Sequence, residues 1–549
     1  MMQNLKSEIR YTKLIALTLF AFLHFACQEK ADLIIHNATI HTFEKNQPKA
    51  NSIVIKDGII QDIGNDLIER YEAKSVVDAK SLAVYPGFID AHSHFLGYGL
   101  RLNQLDLKGT QSIEEIITRA QEFKASQNLS YIVGFGWDQN NWEDKSFPHK
   151  AALDEHFSDI PVFLFRIDGH ALWVNQKALE IAGVDTKTTL AGGVLMQDKA
   201  GLTGVLIDNA MDLLTPFIPK PTTRQKVEAL QKAEEICFSY GLTTVTDAGL
   251  SKEDIFLIDS LQQNDLLQIK IYGMLQNDPN TLDYFLKNGP LKTDRLHVRS
   301  IKLYADGALG SRGAALKEPY SDASDTQGLF VTPIDSIEKI AYRIATTPFQ
   351  LNTHAIGDAA NAAVLNAYRK ALVFKEDPRW RIEHAQVLDT ADIALFNRKI
   401  IPSVQPTHAS SDFEWAKARL GEARMPGAYA YQALLNSAER IALGTDFPVE
   451  DVNPMLTFEA AVYPPQEEEG EEGVSDKALT RLDALRGMTI WAAEANFEEN
   501  EKGSLKIGKK ADLIILDRDL LHVSPRRIES TKVVATFING ELVYSRRYQ

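Results

Sequence analysis

Cysteine is nearly missing from this chain of 549 residues, with only Cys27 and Cys237 present. That excludes a disulfide framework and a thiolate metal cluster, so any metal must be held by nitrogen and oxygen. Positive charge is also scarce: Lys+Arg 59 against Asp+Glu 74 leaves a net charge of −15. Such a surface repels phosphate backbones, and no basic stripe of useful length offsets it, which excludes nucleic acid as a partner. Apolar runs of the roughly 20 residues that span a bilayer are missing too. With 44% hydrophobic and 24% charged residues the composition is that of a globular protein, neither disordered nor a multi-span membrane protein. The length allows two to four domains, or one large barrel carrying additions.

One short apolar run does stand out. Lys6, Arg10 and Lys13 precede Leu14 to Ala26, which is apolar except for Thr18 and His24, and Cys27 follows at once. This is the layout of an export signal. The stretch Leu23-His24-Phe25-Ala26-Cys27 resembles a bacterial lipoprotein processing site, in which the cysteine becomes the lipidated first residue. The expectation is therefore a signal peptide over 1–26 and a mature protein at a bacterial cell envelope, on its periplasmic or outer-membrane face. A lipid on Cys27 would be its only membrane attachment.

Both ends of the remaining chain alternate apolar and polar residues. Residues 32–42 (DLIIHNATIHT) and 52–63 (SIVIKDGIIQDI) read as antiparallel strands, as do 511–516 (ADLIIL) and 533–544 (VVATFINGELVY). Lys-Asp-Gly-Ile and Asn539-Gly540 are hairpin signals. Neither end closes a core alone, so the two are expected to pack into one small β-sandwich built from 27–85 and 501–549.

Between them, over 86–500, short β-branched runs alternate with helical stretches, the mark of an α/β fold with a parallel sheet. Eight runs stand out: FIDAHSH ending at His94, TTVTDAG at Gly249, QIKIYGML at Leu275, SIKLYADG at Gly307, QLNTHAIG at Gly357, WRIEHAQ at Gln386, IIPSVQP at Pro406 and IALGTDFP at Pro448. Eight is the number of a (β/α)₈ TIM-like barrel, whose strands carry chemistry at their C-terminal ends. The gap between the first and second runs exceeds one helix, so an insertion of about 103–225 is expected there, with strands YIVGFGW and PVFLFRI, placed to act as a lid. The acidic run QEEEGEEG over 466–473 reads as a solvated loop.

His92 and His94, one residue apart on a strand, point to one face and are able to grip one ion together. Two such histidines also occur as hydrogen-bonded structural groups. The other strands weigh against that: His354 ends the fifth run, His384 the sixth and Asp446 the eighth, and Lys302 lies in the fourth. Only 13 histidines exist, so four at converging strand ends point to a metal centre.

PGFIDAHSH at 86–94, SIKLYADGALGSRGA at 300–314, LNTHAIGD at 351–358, WRIEHAQ at 380–386 and ALGTDFPV at 442–449 together resemble the amidohydrolase superfamily, and within it the YtcJ-like, amidohydrolase-3 branch. GSLKIGKKADLIILD at 503–517 is similar to the return strand of these enzymes. The resemblance implies a barrel with two divalent ions, usually zinc, ligated by His92, His94, His354, His384 and Asp446. Lys302 takes the place of a carboxylated lysine bridging the ions. A free ammonium cannot ligate a cation, so Lys302 would serve a metal only as a carbamate; a mononuclear site is the alternative.

Such ligands leave room for water, whose pKa an ion lowers from 15.7 to about 7. Asp446 would then move a proton from the attacking water to the leaving group. The expected reaction is hydrolysis of a non-peptide C–N bond in a small molecule: an amide, N-formyl, carbamate or cyclic amide. A deaminase or esterase on the same barrel, or a non-catalytic metal-binding lipoprotein, are the alternatives; His354 is followed by Ala355-Ile356-Gly357-Asp358, without the glutamate typical of deaminases in this superfamily.

For the substrate, His170 in RIDGHALWVN reads as a hydrogen-bond donor and Trp137 as an apolar wall, with Trp142 nearby; both tryptophans would equally stabilise the insertion. Arg312, after Ser311, would reach a substrate carboxylate or form a surface salt bridge. His408 lies at the correct end of the barrel. Cys237 reads as a buried, inert thiol, and a homo-oligomer is compatible with all of this.

Overall fold

The computed structural model describes residues 29–126, 129–465 and 475–546. The export signal, Cys27 and the acidic run over 466–473 lie outside the described residues. Among those described, no helix is long and apolar enough to cross a membrane.

Eight parallel strands form the centre: β1 (Phe88–Ser93), β2 (Leu242–Leu250), β3 (Lys270–Leu275), β4 (Leu296–Tyr304), β5 (Gln350–Ala355), β6 (Trp380–His384), β7 (Ile400–Val404) and β8 (Ala442–Leu443). Neighbours pair in chain order from β1 to β8. Every residue of β1, β3, β5, β6 and β7 is buried, which is why these segments read as dense runs with little polar alternation. The barrel is nearly closed between β8 and β1 by the segments that follow them. Asp446 N donates to His92 O at 2.8 Å and His94 N to Phe447 O at 2.9 Å. Gly444 permits this approach, because a Cβ there would stand 2.4 Å from His92 N.

Helices cover the outside. Thr223–Ser239 starts from a capping box in which Thr222 and Gln225 satisfy each other's backbone donors. Its buried face, including Leu230, Ala233 and Cys237, joins the large core between strands and helices. Cys237 is a free, buried thiol there.

The segment between β1 and β2 builds its own six-stranded sheet, in the order 193–198, 201–208, 171–174, 162–166, 132–137 and 105–106. Apolar clusters cover both of its faces, one around Trp137, Trp142 and Trp173, the other around Phe163, Leu172 and Leu206.

The chain ends supply two further sheets. One pairs 59–64, 52–56, 29–36 and 71–78 in that order; the other runs 541–545, 533–538, 513–516, 83–86, 39–41 and 49–50. Leu33, Ile35 and Ile53 of the first meet Val84, Leu513 and Phe537 of the second in one shared core. The turn pairs Asp57-Gly58 and Asn539-Gly540 both have positive φ, as two-residue hairpins of the right twist require. Strand 29–36 also pairs in parallel with 71–78, a partner the alternation pattern had not announced.

Candidate metal centre

All six side chains singled out as ligands converge at the C-terminal rim of the barrel. One ligand atom each from His92, His384 and Asp446 lies within 4.8 Å of the others. His94 Nε2 stands 3.2 Å from Asp446 Oδ1, and the His354 and His384 ring centroids are 4.5 Å apart. Lys302 Nζ is 3.1 Å from His92 Nε2. Two of these residues leave regular strand geometry: His384 has φ 73° and Asp446 φ 63°. Left-handed backbone at non-glycine residues costs of order 1–3 kcal/mol each and persists only where the surroundings enforce it.

The protonation states suit a cation. Burial lowers His92 to about 4 and holds His354 and His384 well below the ordinary histidine range, so these imidazoles are neutral. Burial works to raise Asp446, but His408 and His94 outweigh it and keep the carboxylate ionised. Burial also lowers Lys302 to about 8.

Buried partners orient the ligands. Glu383, opposed by burial but held at about 2 by Arg381 and His92, only accepts, so neutral His92 donates to it from Nδ1 at 2.5 Å. Its Nε2 lone pair is then free to face Lys302 and Asp446. His94 Nδ1 donates to Ala248 O at 3.1 Å, which turns Nε2 toward Asp446. Asp90 accepts from His92 N at 3.0 Å and from Thr445 Oγ1 at 2.7 Å, tying β1 to the segment carrying Asp446. Asp306 accepts from the backbone N of Ala315, Ile356 and Gly357, pinning the loop after β4 to the end of β5.

After this pairing, Asp446 Oδ1 and His384 Nδ1 remain buried without a hydrogen-bond partner. A carboxylate and a neutral imidazole nitrogen, both stripped of water and unsatisfied, make a donor set that a divalent cation fits.

The cluster opens into a cavity of about 620 Å³. The segment between β1 and β2 supplies part of its wall, including Lys108, Asp138, Arg166 and His170. His170 Nδ1 bonds Asp208 Oδ1 at 2.7 Å, and its ring centroid lies 5.1 Å from that of His354. His408 bonds Glu450 at 2.8 Å and sets Nε2 3.4 Å from Asp446 Oδ2, so this residue does belong to the site.

The structure does not bring Arg312 or Trp137 to the cavity. The Arg312 guanidinium is held by Asp322, with Nη2–Oδ2 at 2.8 Å, which is the salt-bridge alternative. Trp137 is fully buried in the core of its own sheet and donates Nε1–H to Leu164 O at 2.7 Å. Glu383, Asp90, Asp306 and Arg101 escaped the sequence reading. Glu383 had a usable signal, sharing strand parity with Arg381 beside a ligand histidine; Arg101 had none.

With this geometry in view, a family model described as "Amidohydrolase family" matches residues 75–544. The chain belongs to the amidohydrolase family. This amidohydrolase is 30% identical to the putative amidohydrolase YtcJ of Bacillus subtilis (strain 168), over 93% of this chain and 99% of the relative. It is 24% identical to an N-substituted formamide deformylase of Arthrobacter pascens, over 94% of this chain and 98% of that protein. Among solved structures, an uncharacterized metal-dependent hydrolase from Pyrococcus horikoshii OT3 matches with a TM-score of 0.73 and 29% identity. That match covers 90% of this chain and 99% of the other.

Proposed function

We propose that this chain is a metal-dependent hydrolase of a non-peptide C–N bond in a small molecule: an amide, N-formyl, carbamate or cyclic amide. The observation carrying this reading is the pair of buried, unsatisfied ligand atoms on Asp446 and His384 within the histidine cluster. The formamide deformylase relative favours the C–N bond over an ester.

His92, His94, His354, His384 and Asp446 would hold zinc, with Lys302 bridging a second ion once its amine has taken up CO₂ as a carbamate. Support for the bridge comes from burial, which lowers Lys302 to about 8 and so makes the neutral amine available, and from its place beside His92. When bound, the metal supplies Lewis acidity toward a carbonyl and a lowered pKa for water. The chain does the rest. Asp446 accepts the proton of the attacking water and returns it to the leaving nitrogen. His408, itself held by Glu450, steadies the second Asp446 oxygen. Asp208 orients His170 to donate toward the oxygen of the tetrahedral intermediate. Arg312, engaged with Asp322, has no part in it. Export and lipidation at Cys27 are proposed on the sequence alone.

The test is metal quantification on purified protein with a screen of N-acyl, N-formyl and cyclic amides. Two ions per chain, lost on Lys302→Ala, together with turnover of an amide, support the reading. No ion overturns it, and one ion unaffected by that substitution overturns the bridge.

A further inference from the structure

The charged side chains lining the cavity are not equally committed. Asp138 and Asp168 both pair with Arg166, and Glu450 pairs with His408. Asp412, raised to about 7 by burial, accepts from Tyr429 Oη at 2.7 Å and Gln386 Nε2 at 2.8 Å. Lys302 and Asp446 belong to the metal cluster. Two cations are left over, Arg101 and Lys108, and both line the cavity.

Arg101 ends the helix Phe95–Arg101 that follows the His92/His94 strand. Its Nη1 is buried with no hydrogen-bond partner, and no carboxylate lies within ion-pair distance among the described residues. The guanidinium stacks on Phe135, 3.2 Å from the ring centroid. Stacking occupies the faces of a guanidinium and leaves its N–H edge to bind an anion in plane. A half-buried guanidinium with a fully buried, unpaired Nη1 is costly to maintain, since burial opposes its charge and only the Asp446 charge helps it. Lys108 reaches no acid either; its Nζ has Val449 O at 3.5 Å. Room for Lys108 depends on Gly136, at φ +116°, where a Cβ would fall 2.7 Å from Lys108 N.

We infer that Arg101, seconded by Lys108, is an anion-recognition site within the cavity, and that the amide substrate carries a carboxylate which Arg101 binds. A monoanion fits the setting better than a dianionic phosphate, because Asp138, Asp168 and Glu450 line the same cavity. The inference rests on the hydrolase reading for its substrate, though the anion site stands on its own geometry.

The experiment uses metal-loaded protein and matched probes that differ by one carboxylate: N-formyl- and N-acetylphenylalanine against the corresponding phenethylamides. The expected result is at least a tenfold preference in kcat/KM for the carboxylate compounds, carried mainly by KM. Arg101→Met should bring the ratio close to one, and Arg101→Lys should restore part of it. A wild-type ratio near one overturns the proposal, as does a preference that survives Arg101→Met, since the metal itself would then hold the carboxylate. If neither probe pair is turned over, the failure falls on the choice of amide and not on the anion site, which calorimetric binding of 3-phenylpropionate then decides. A tenfold affinity loss in Arg101→Met supports it; equal affinity in both proteins rejects it. Should Arg101→Met lose its fold by circular dichroism, Lys108→Met replaces it, with a loss of at least threefold expected and no loss counting against the proposal.

Discussion

Glu383 Oε2 lies 2.5 Å from His92 Nδ1 inside the barrel, and Arg381 donates to the same oxygen from Nη2 at 2.9 Å. The three form a chain from buried cation to buried carboxylate to the imidazole of a candidate ligand. It fixes the His92 tautomer and raises the basicity of Nε2. Replacing an oriented partner of this kind typically costs 10- to 100-fold in metal affinity. Glu383→Gln is expected to weaken zinc binding by about that factor, as read by chelator competition. Unchanged affinity would show that His92 needs no such partner.

On the proposed function His170 acts on the substrate and not on the metal. Burial opposes its charge, but the bond to Asp208 wins and raises its pKa, which favours the ring as a donor. Losing one such donor typically costs about 10²- to 10³-fold in kcat. His170→Ala is expected to fall in that range on an amide found by the screen, with metal content unchanged. A loss confined to KM would assign His170 to substrate binding alone.

Arg312 is expected to be dispensable for chemistry. Its guanidinium serves Asp322, which Arg419 also contacts. Arg312→Ala should keep kcat/KM within about twofold and cost about 1 kcal/mol or less in stability, the range for partly exposed ion pairs. A hundredfold loss of activity with normal stability would return Arg312 to the site.

Acid sensitivity should trace in part to Glu498, buried between Lys502 (3.1 Å) and His297 (3.6 Å). Burial works to raise its pKa, yet Lys502 and His297 outweigh burial and hold it at about 2, below the ordinary glutamate value of 4.5. A folded pKa below the unfolded value stabilises fully above the unfolded pKa, and that contribution is lost as pH falls through the folded one. Glu498→Gln is therefore expected to lower Tm at neutral pH, with the difference from wild type shrinking between about pH 4.5 and 2. A difference that stays constant with pH would show that Glu498 carries no linked proton.

The eight barrel strands were legible because each is buried on both sides and bounded by turn chemistry, which leaves a dense apolar run in the sequence. The candidate ligand residues were legible because all but Lys302, which lies early in the fourth run, sit near the ends of such runs. Glu383 was missed, although it neighbours His384 and shares strand parity with Arg381. Strand alternation would send adjacent residues to opposite faces, but the left-handed backbone at His384 breaks the alternation and brings both toward the centre. Arg312 misled for the opposite reason: it follows the right strand, yet its loop delivers it to Asp322.

Periodicity and turn signals are local properties, so sequence alone determined the order of strands, the hairpins at both ends, the α/β class and the types of side chain at the barrel rim. Charge pairing is not local. His92 and Glu383 are 291 residues apart, and Arg101 meets Phe135 only because the segment after the first strand folds back over the cavity. Which acids are satisfied, which cation is left without a partner and which buried donor atoms stay unpaired all depend on distances of a few ångströms between distant segments. Only the folded chain sets those distances.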